Sequence, residues 1–98
     1  MMEDGVVGGA CAVLPAVADL VQAGPLKAEI ERHLAAGVGL DLDASAVQRI
    51  SSPCLQVLVA GVAAFAKAGG PSLAISKPSA AFVETASALG LAGALGLD

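Results

Sequence analysis

The side chains of this sequence that could do chemistry are few and scattered. The single histidine, His33, follows Glu29 by four residues, a spacing that stacks the two on one helix face. This reads as a local surface pair, because general-base catalysis needs a partner nucleophile in reach and none stands near it. Cys54 opens an apolar helical pattern, where the positive end of the macrodipole lowers a thiol pKa. Pro53 and Leu55 flank it, however, and direct it inward. Cys11 and Cys54 share no metal-ligand spacing. With no export signal before them, they read as small buried apolar residues rather than a disulfide. Asp41 and Asp43 lie two apart on a strand-like run and so share a face. With no further acid beside them, they read as a solvated strand end rather than a cation site. Gly5, Gly8 and Gly9 match no phosphate-binding loop. No catalytic residue, metal site or cofactor is therefore expected, and the chain reads as a non-enzyme.

The richest stretch for function runs from Leu42 to Leu58, LDASAVQRISSPCLQVL. A strand, a turn and a helix start meet there, and the junction is small and hydroxyl-bearing. Ser52 before Pro53 reads as an N-cap, whose oxygen accepts from an orphan amide for roughly 1 kcal/mol. A helix N-terminus is also where a phosphate is best tolerated, because free amides and the positive dipole end face it. Phosphorylation there would add about −1.5 to −2 charges at neutral pH without melting the helix.

Glycine and proline punctuate the elements that must hold this junction. Ala10–Val17 is an apolar run containing Pro15, hence an edge strand or one that breaks at Pro15. A first helix opens at Pro25, suited to the first helical position, and ends before Gly37. Its stripe is Leu26, Ile30 and Leu34. Val38–Leu42 follows as a strand, with Val38, Leu40 and Leu42 on one face. Val47 and Ile50 come after a short turn around Asp43 and Ser45. A second helix starts at Pro53 and stops before Gly69-Gly70, burying Leu55, Leu58, Val59, Val62 and Phe65. Ser72–Ile75 is the next strand. Ser79, or Pro78 before it, opens a third helix that carries Phe82, Val83, Ala86 and Leu89 and closes at Gly90. Strand, helix and strand from Val38 to Ile75 make a parallel pair with a right-handed crossover. The expected class is α/β: one domain over residues 1–98, a mixed sheet of four or five strands with helices packed on it.

Composition narrows the function further. The chain has 98 residues, 56% of them apolar, yet only two Phe and neither Trp nor Tyr. A chain of this length can bury roughly 65% of its unfolded surface, enough for one core. Charged residues make up 14%, nine acids against five bases, for a net charge of −4. Nucleic acid is thus not an expected partner, since phosphate contacts need a basic surface and single strands need aromatic platforms. The apolar run Val57–Ala66 stops at Lys67, well short of the roughly 20 residues a spanning helix needs. The acidic start Met1-Met2-Glu3-Asp4 makes Val6–Val17 a poor signal-peptide core. A cytoplasmic, non-spanning protein is expected.

In the order of its elements, and from Leu42 through the second helix, the sequence resembles the STAS domain. That fold is shared by bacterial anti-sigma factor antagonists and the cytoplasmic tails of sulfate transporters. The resemblance covers nearly the whole chain. An apolar strand ending near Asp19 precedes the helix to Ala36 and the strand Leu42-Asp43…Val47. Ser51-Ser52, the helix Leu55–Ala68, the strand Leu73–Ile75 and the passage Pro78-Ser79…Phe82…Leu89-Gly90-Leu91 complete it. Family members carry Asp-Ser-Ser-Gly-Leu at the strand-to-helix turn, and a partner kinase phosphorylates the first serine. Matched in turn, Ser51 takes the place of the acid, Ser52 of the phosphoacceptor, Pro53 of the second hydroxyl, Cys54 of the glycine and Leu55 of the leucine.

The resemblance implies a non-catalytic interaction module of bacterial signalling, like the anti-sigma antagonists. Its switch would be phosphorylation of Ser52. Its contact residues would be Asp43, Ser51, Ser52, Pro53, Cys54, Leu55 and Gln56. The implied partner is a serine kinase of the anti-sigma type, or a histidine-kinase-like protein of a sigma-factor or chemotaxis pathway. The alternative is a constitutive subunit of a phospholipid-transport ABC ATPase, with Ser52 acting only as a helix cap. A small-ligand sensor is disfavoured by the lack of a phosphate cradle. The Gly-Leu tail, residues 90–97, would either pair two copies or finish the core.

Overall fold

Turn chemistry sets the joints of this chain, and the strands between them are short. In the computed structural model the described residues are 9–97; Met1–Gly8, with the acidic start and the glycines Gly5 and Gly8, and Asp98 lie outside them. The elements are β1 (Gly9–Val13), β2 (Val17–Ala18), α1 (Leu20–Ala36), β3 (Gly39–Asp43), β4 (Arg49–Ile50), α2 (Ser52–Ala68), β5 (Leu73–Ser76) and α3 (Ala80–Ala88). The apolar run does break before Pro15, which has no N–H for a ladder. β1 ends at Val13 and the chain resumes as β2.

The five strands form two ladders, β1-β3-β5 and β2-β4, and every pairing among the described residues is parallel. The expected α/β architecture holds, with β1 at one edge of the larger ladder. Its strand order advances in one direction, so right-handed crossovers lay α1 and α2 on the same face. There the two helices pack on each other, α1 against β3 and α2 against β5. Leu40 and Leu42 point into this layer and are buried, whereas Asp41 faces out. α3 packs apart from them, on β4.

The core uses both aromatic rings of the chain, Phe65 and Phe82, with Leu42, Leu55 and Leu58 fully enclosed around them. Each such side chain contributes roughly 1.5–3 kcal/mol. Gly61 permits the closest approach. A Cβ there would lie 2.9 Å from Leu73 Cδ2 and 3.0 Å from Ile30 Cγ2, so its absence lets α2 touch α1 and β5 at once. Leu95 is buried as well, and the tail therefore finishes the core.

Several boundaries differ from the sequence expectation. α1 begins at Leu20 rather than Pro25, because Asp19 is an N-cap whose side chain accepts from the Val21 amide at 3.1 Å. Pro25 thus lies inside the helix and cannot donate to the Val21 carbonyl. Val21 is 75% exposed, so water can take the missing donor's place. The stripe is narrower than expected: Ile30 is buried, while Leu26 and Leu34 are half-buried. β3 spans Gly39–Asp43, with Val38 just before it, and β4 was not expected as a strand. Leu89, placed on the apolar face of the third helix, is its exposed C-cap. The cap of α2 is Ser51, not Ser52.

Candidate functional site

The β2–β4 ladder brings two helix starts together. Val17 pairs with Arg49 and Ala18 with Ile50. The Ser51 amide then donates to the Ala18 carbonyl at 2.8 Å, and the Gln48 and Arg49 amides share the Ala16 carbonyl. Asp19, the cap of α1, and Ser51, the cap of α2, therefore follow directly from paired strands. The Cys54 thiol closes the arrangement by donating to the Asp19 carbonyl at 3.0 Å. Neither helix has an acidic side chain in its first turn.

Within the α2 start most of the donors are committed. Ser51 is extended, at φ −84° and ψ 158°, and its hydroxyl accepts from the Cys54 amide at 3.4 Å. Its carbonyl accepts from the Leu55 amide at 3.1 Å. Pro53 has no amide proton, and its fixed φ suits the first turn. Ser52 holds the first helical position, exposed and outside the cap. The expectation that Ser52 caps the helix is thus corrected. Ser51 precedes the helix in extended conformation with its oxygen turned back, which Ser52, already helical, cannot do.

The expected contact residues separate by depth. Ser52, Pro53 and Gln56 are exposed and Ser51 is half-buried. Cys54 and Leu55 are fully buried and hold the turn from beneath, so they offer no surface to a partner. Asp43 belongs to a neighbouring loop. It ends β3, and its carboxylate accepts from the Ser45 amide at 2.9 Å. The Ser45 hydroxyl, then its amide, then the Lys77 charge hold the Asp43 carboxyl below its ordinary value, against slight desolvation. That loop is tied onward to α3. The Ser79 amide donates to Ala44 and the Ser79 hydroxyl to the Val47 carbonyl, while Ser79 also caps α3 through the Phe82 amide.

Other candidate groups resolve simply. His33 Nδ1 lies 2.8 Å from the Glu29 carbonyl and 3.5 Å from its carboxylate, the local pair expected. Glu29 also pairs with Arg32. Both cysteines are free, Cys54 buried and Cys11 exposed. The expectation that both are buried fails for Cys11, whose ladder neighbour Asp41 also faces away from the helices. No group of three or more His, Cys, Asp or Glu that could hold a metal occurs among the described residues. No helix among them is long and apolar enough to cross a membrane.

Two features of this surface escaped sequence reasoning. Arg49 stands exposed on β4 beside Ser51. Val17, Leu20 and Val21 expose 41%, 69% and 75% of their surface at the approach to α1. Asp19-Leu20-Val21-Gln22 was the available signal, since an acid followed three residues later by Gln before apolar residues is a helix-start pattern.

The described residues form a parallel α/β layer whose helix starts gather at the carboxyl ends of its strands, an arrangement consistent with the STAS fold. A family model described as "Mlab, STAS domain" matches residues 10–97, and the chain belongs to that family. STAS domains are in general non-catalytic protein-interaction modules. Among curated proteins none matches the chain.

Proposed function

We propose that this chain is a cytoplasmic, non-catalytic docking module of bacterial signalling, like the anti-sigma antagonists, switched by phosphorylation of Ser52. The observation that carries this reading is the division of labour between adjacent serines. Ser51 caps α2, and the Ser52 hydroxyl is exposed and makes no hydrogen bond among the described residues. Its oxygen can take the γ-phosphoryl group of ATP, with ADP leaving and the hydroxyl proton passing to the kinase's base, without uncapping the helix. The phosphate then places roughly two negative charges on the docking edge. Around it lie Ser51, Pro53 and Gln56, with Asp43 on the adjoining loop. The partner in this reading is a serine kinase of the anti-sigma type or a histidine-kinase-like protein of a chemotaxis or sigma-factor pathway. The test is incubation with kinases encoded beside the gene and ATP, followed by mass spectrometry. One phosphate on Ser52 is expected. Phosphate elsewhere, or none with any of those kinases, overturns the reading.

A second reading is a constitutive subunit of a phospholipid-transport ABC ATPase. It is favoured by the stiffness of the turn, where Pro53 and the buried, hydrogen-bonded Cys54 stand in for small flexible residues. In that case Ser52 is a contact residue and neither cap nor switch. Co-purification with the ATPase that survives both Ser52→Ala and Ser52→Asp would decide for it.

A further inference from the structure

Among the described residues, Arg49 is the one basic side chain lining the hollow beside Ser51, on the strand that leads into the Ser52 turn. A phosphate at a helix start is ordinarily held by free backbone amides. Here only one of those amides, that of Ser52 itself, is left without an acceptor among the described residues. The Ser51 amide donates to Ala18, the Cys54 amide to the Ser51 hydroxyl and the Leu55 amide to the Ser51 carbonyl, while Pro53 has no amide proton. A single amide brings no net charge, so the counter-charge for a phosphate on Ser52 would come from a side chain.

Arg49 meets the requirement. It lies three residues before Ser52, so the two Cα atoms are at most about 11 Å apart, a span that an arginine and a phosphoserine cover between them. Alternation along β4 buries Ile50 and turns Arg49 outward, onto the hollow it shares with Val17, Asp19 and Ser51. Among the described residues Arg49 forms no ion pair; the pairs present are Lys27–Glu31, Arg32–Glu29 and His33–Glu29, all within α1. The charged or titratable groups near it are Asp19, whose carboxylate is engaged as the cap of α1, and the buried Cys54 thiol.

We propose that Arg49 is the internal counter-ion of phosphorylated Ser52: its guanidinium folds onto the phosphate and fixes it across the β2–β4 edge. The proposal rests on Ser52 being the modified residue. It adds that the switch converts an exposed cation into an anionic, arginine-clamped surface. A planar guanidinium suits the phosphate because it can donate two parallel hydrogen bonds.

The test installs phosphoserine at position 52 of the full chain by codon expansion, so it needs no kinase and stands apart from the kinase experiment above. Phosphorus NMR then follows the second phosphate ionisation with pH. The expected result is a pKa about half a unit below that of free phosphoserine, because a nearby cation favours the dianion. Arg49→Gln should abolish the lowering, Arg49→Lys should keep part of it, and Arg32→Gln, remote on α1, should leave it unchanged. An identical pKa in the Arg49→Gln variant and the parent overturns the proposal, and so does a lowering that Arg32→Gln reduces equally.

Discussion

Substitutions at the adjacent serines test the assignment of roles on which the switch depends. Ser51→Ala removes the oxygen that accepts from the Cys54 amide. Cap removal costs about 0.5–2 kcal/mol in general. The 3.4 Å separation makes this bond long and argues for the lower part of that range. Against this, Cys54 is fully buried, so water does not readily replace the lost acceptor. A loss of about 1 kcal/mol results, equivalent to a fall in Tm of about 4–8 °C for a domain of this size. Ser52→Ala removes an exposed hydroxyl that makes no hydrogen bond among the described residues, and stability should stay within about 0.5 kcal/mol.

Ser51→Asp should go the other way. A carboxylate keeps the accepting oxygen and faces the positive end of a helix with no acid in its first turn. The gain is about 0.3–1 kcal/mol at low ionic strength, and added salt should diminish it. Urea unfolding followed by far-ultraviolet circular dichroism, at low and high salt, measures all three variants. If Ser52→Ala proves the costly change and Ser51→Ala the silent one, the cap is Ser52 and its hydroxyl is not spare.

Three further outcomes follow from other parts of the molecule. In the native protein a thiol reagent should modify Cys11 quickly and Cys54 only after denaturant is added; fast reaction of both would contradict the buried Cys54 contact to Asp19. Because its folded pKa is depressed, Asp43 contributes stability that is fully present above the ordinary carboxylate value and is lost as pH falls through the lowered folded value. Asp43→Asn should therefore flatten the acid limb of a stability–pH curve, and an unchanged limb would refute the Ser45 hydrogen bonds and the Lys77 charge as its cause. Gly61→Val should destabilise by about 1–3 kcal/mol through overpacking against Ile30 and Leu73, and a stable variant in urea titration would show that α1 and α2 can separate.

Where a signal in this chain is local, the sequence shows it. Ser79 and Gly90 bracket α3, and Gly69 stops α2 in the left-handed conformation that glycine adopts freely. The alternation of Leu40 and Leu42 with Asp41 marks which face of β3 is buried. Elements defined by partners are less legible. β4 is two residues long and exists because β2 lies beside it, so no run of propensity announces it. The start of α1 was obscured by Pro25, a residue more at home at a helix start, while the true cap is an ordinary aspartate. The exposure of Arg49 has the same origin, since only the pairing with Val17 decides which way it turns.

The cap assignment also changes what the turn's departure from its family pattern means. The position held by Ser51 is acidic in the pattern that this stretch resembles, and aspartate is among the best N-caps. Serine keeps the capping oxygen and discards the charge, so the structural duty of that position survives. What is lost is a negative group beside Ser52, which would repel a phosphate placed there and compete with it for any nearby cation. In this chain that cation is Arg49, exposed and without an ion pair among the described residues. A neutral cap and an exposed arginine thus stand close in sequence to one exposed serine on this edge. Under the switch reading, that arginine has a phosphate to meet. Arg49 is accordingly the residue whose substitution separates the two readings of Ser52. Under the switch it should alter the phosphorylated form far more than the unmodified one, and under a constitutive contact it should weaken binding whether or not Ser52 carries a phosphate.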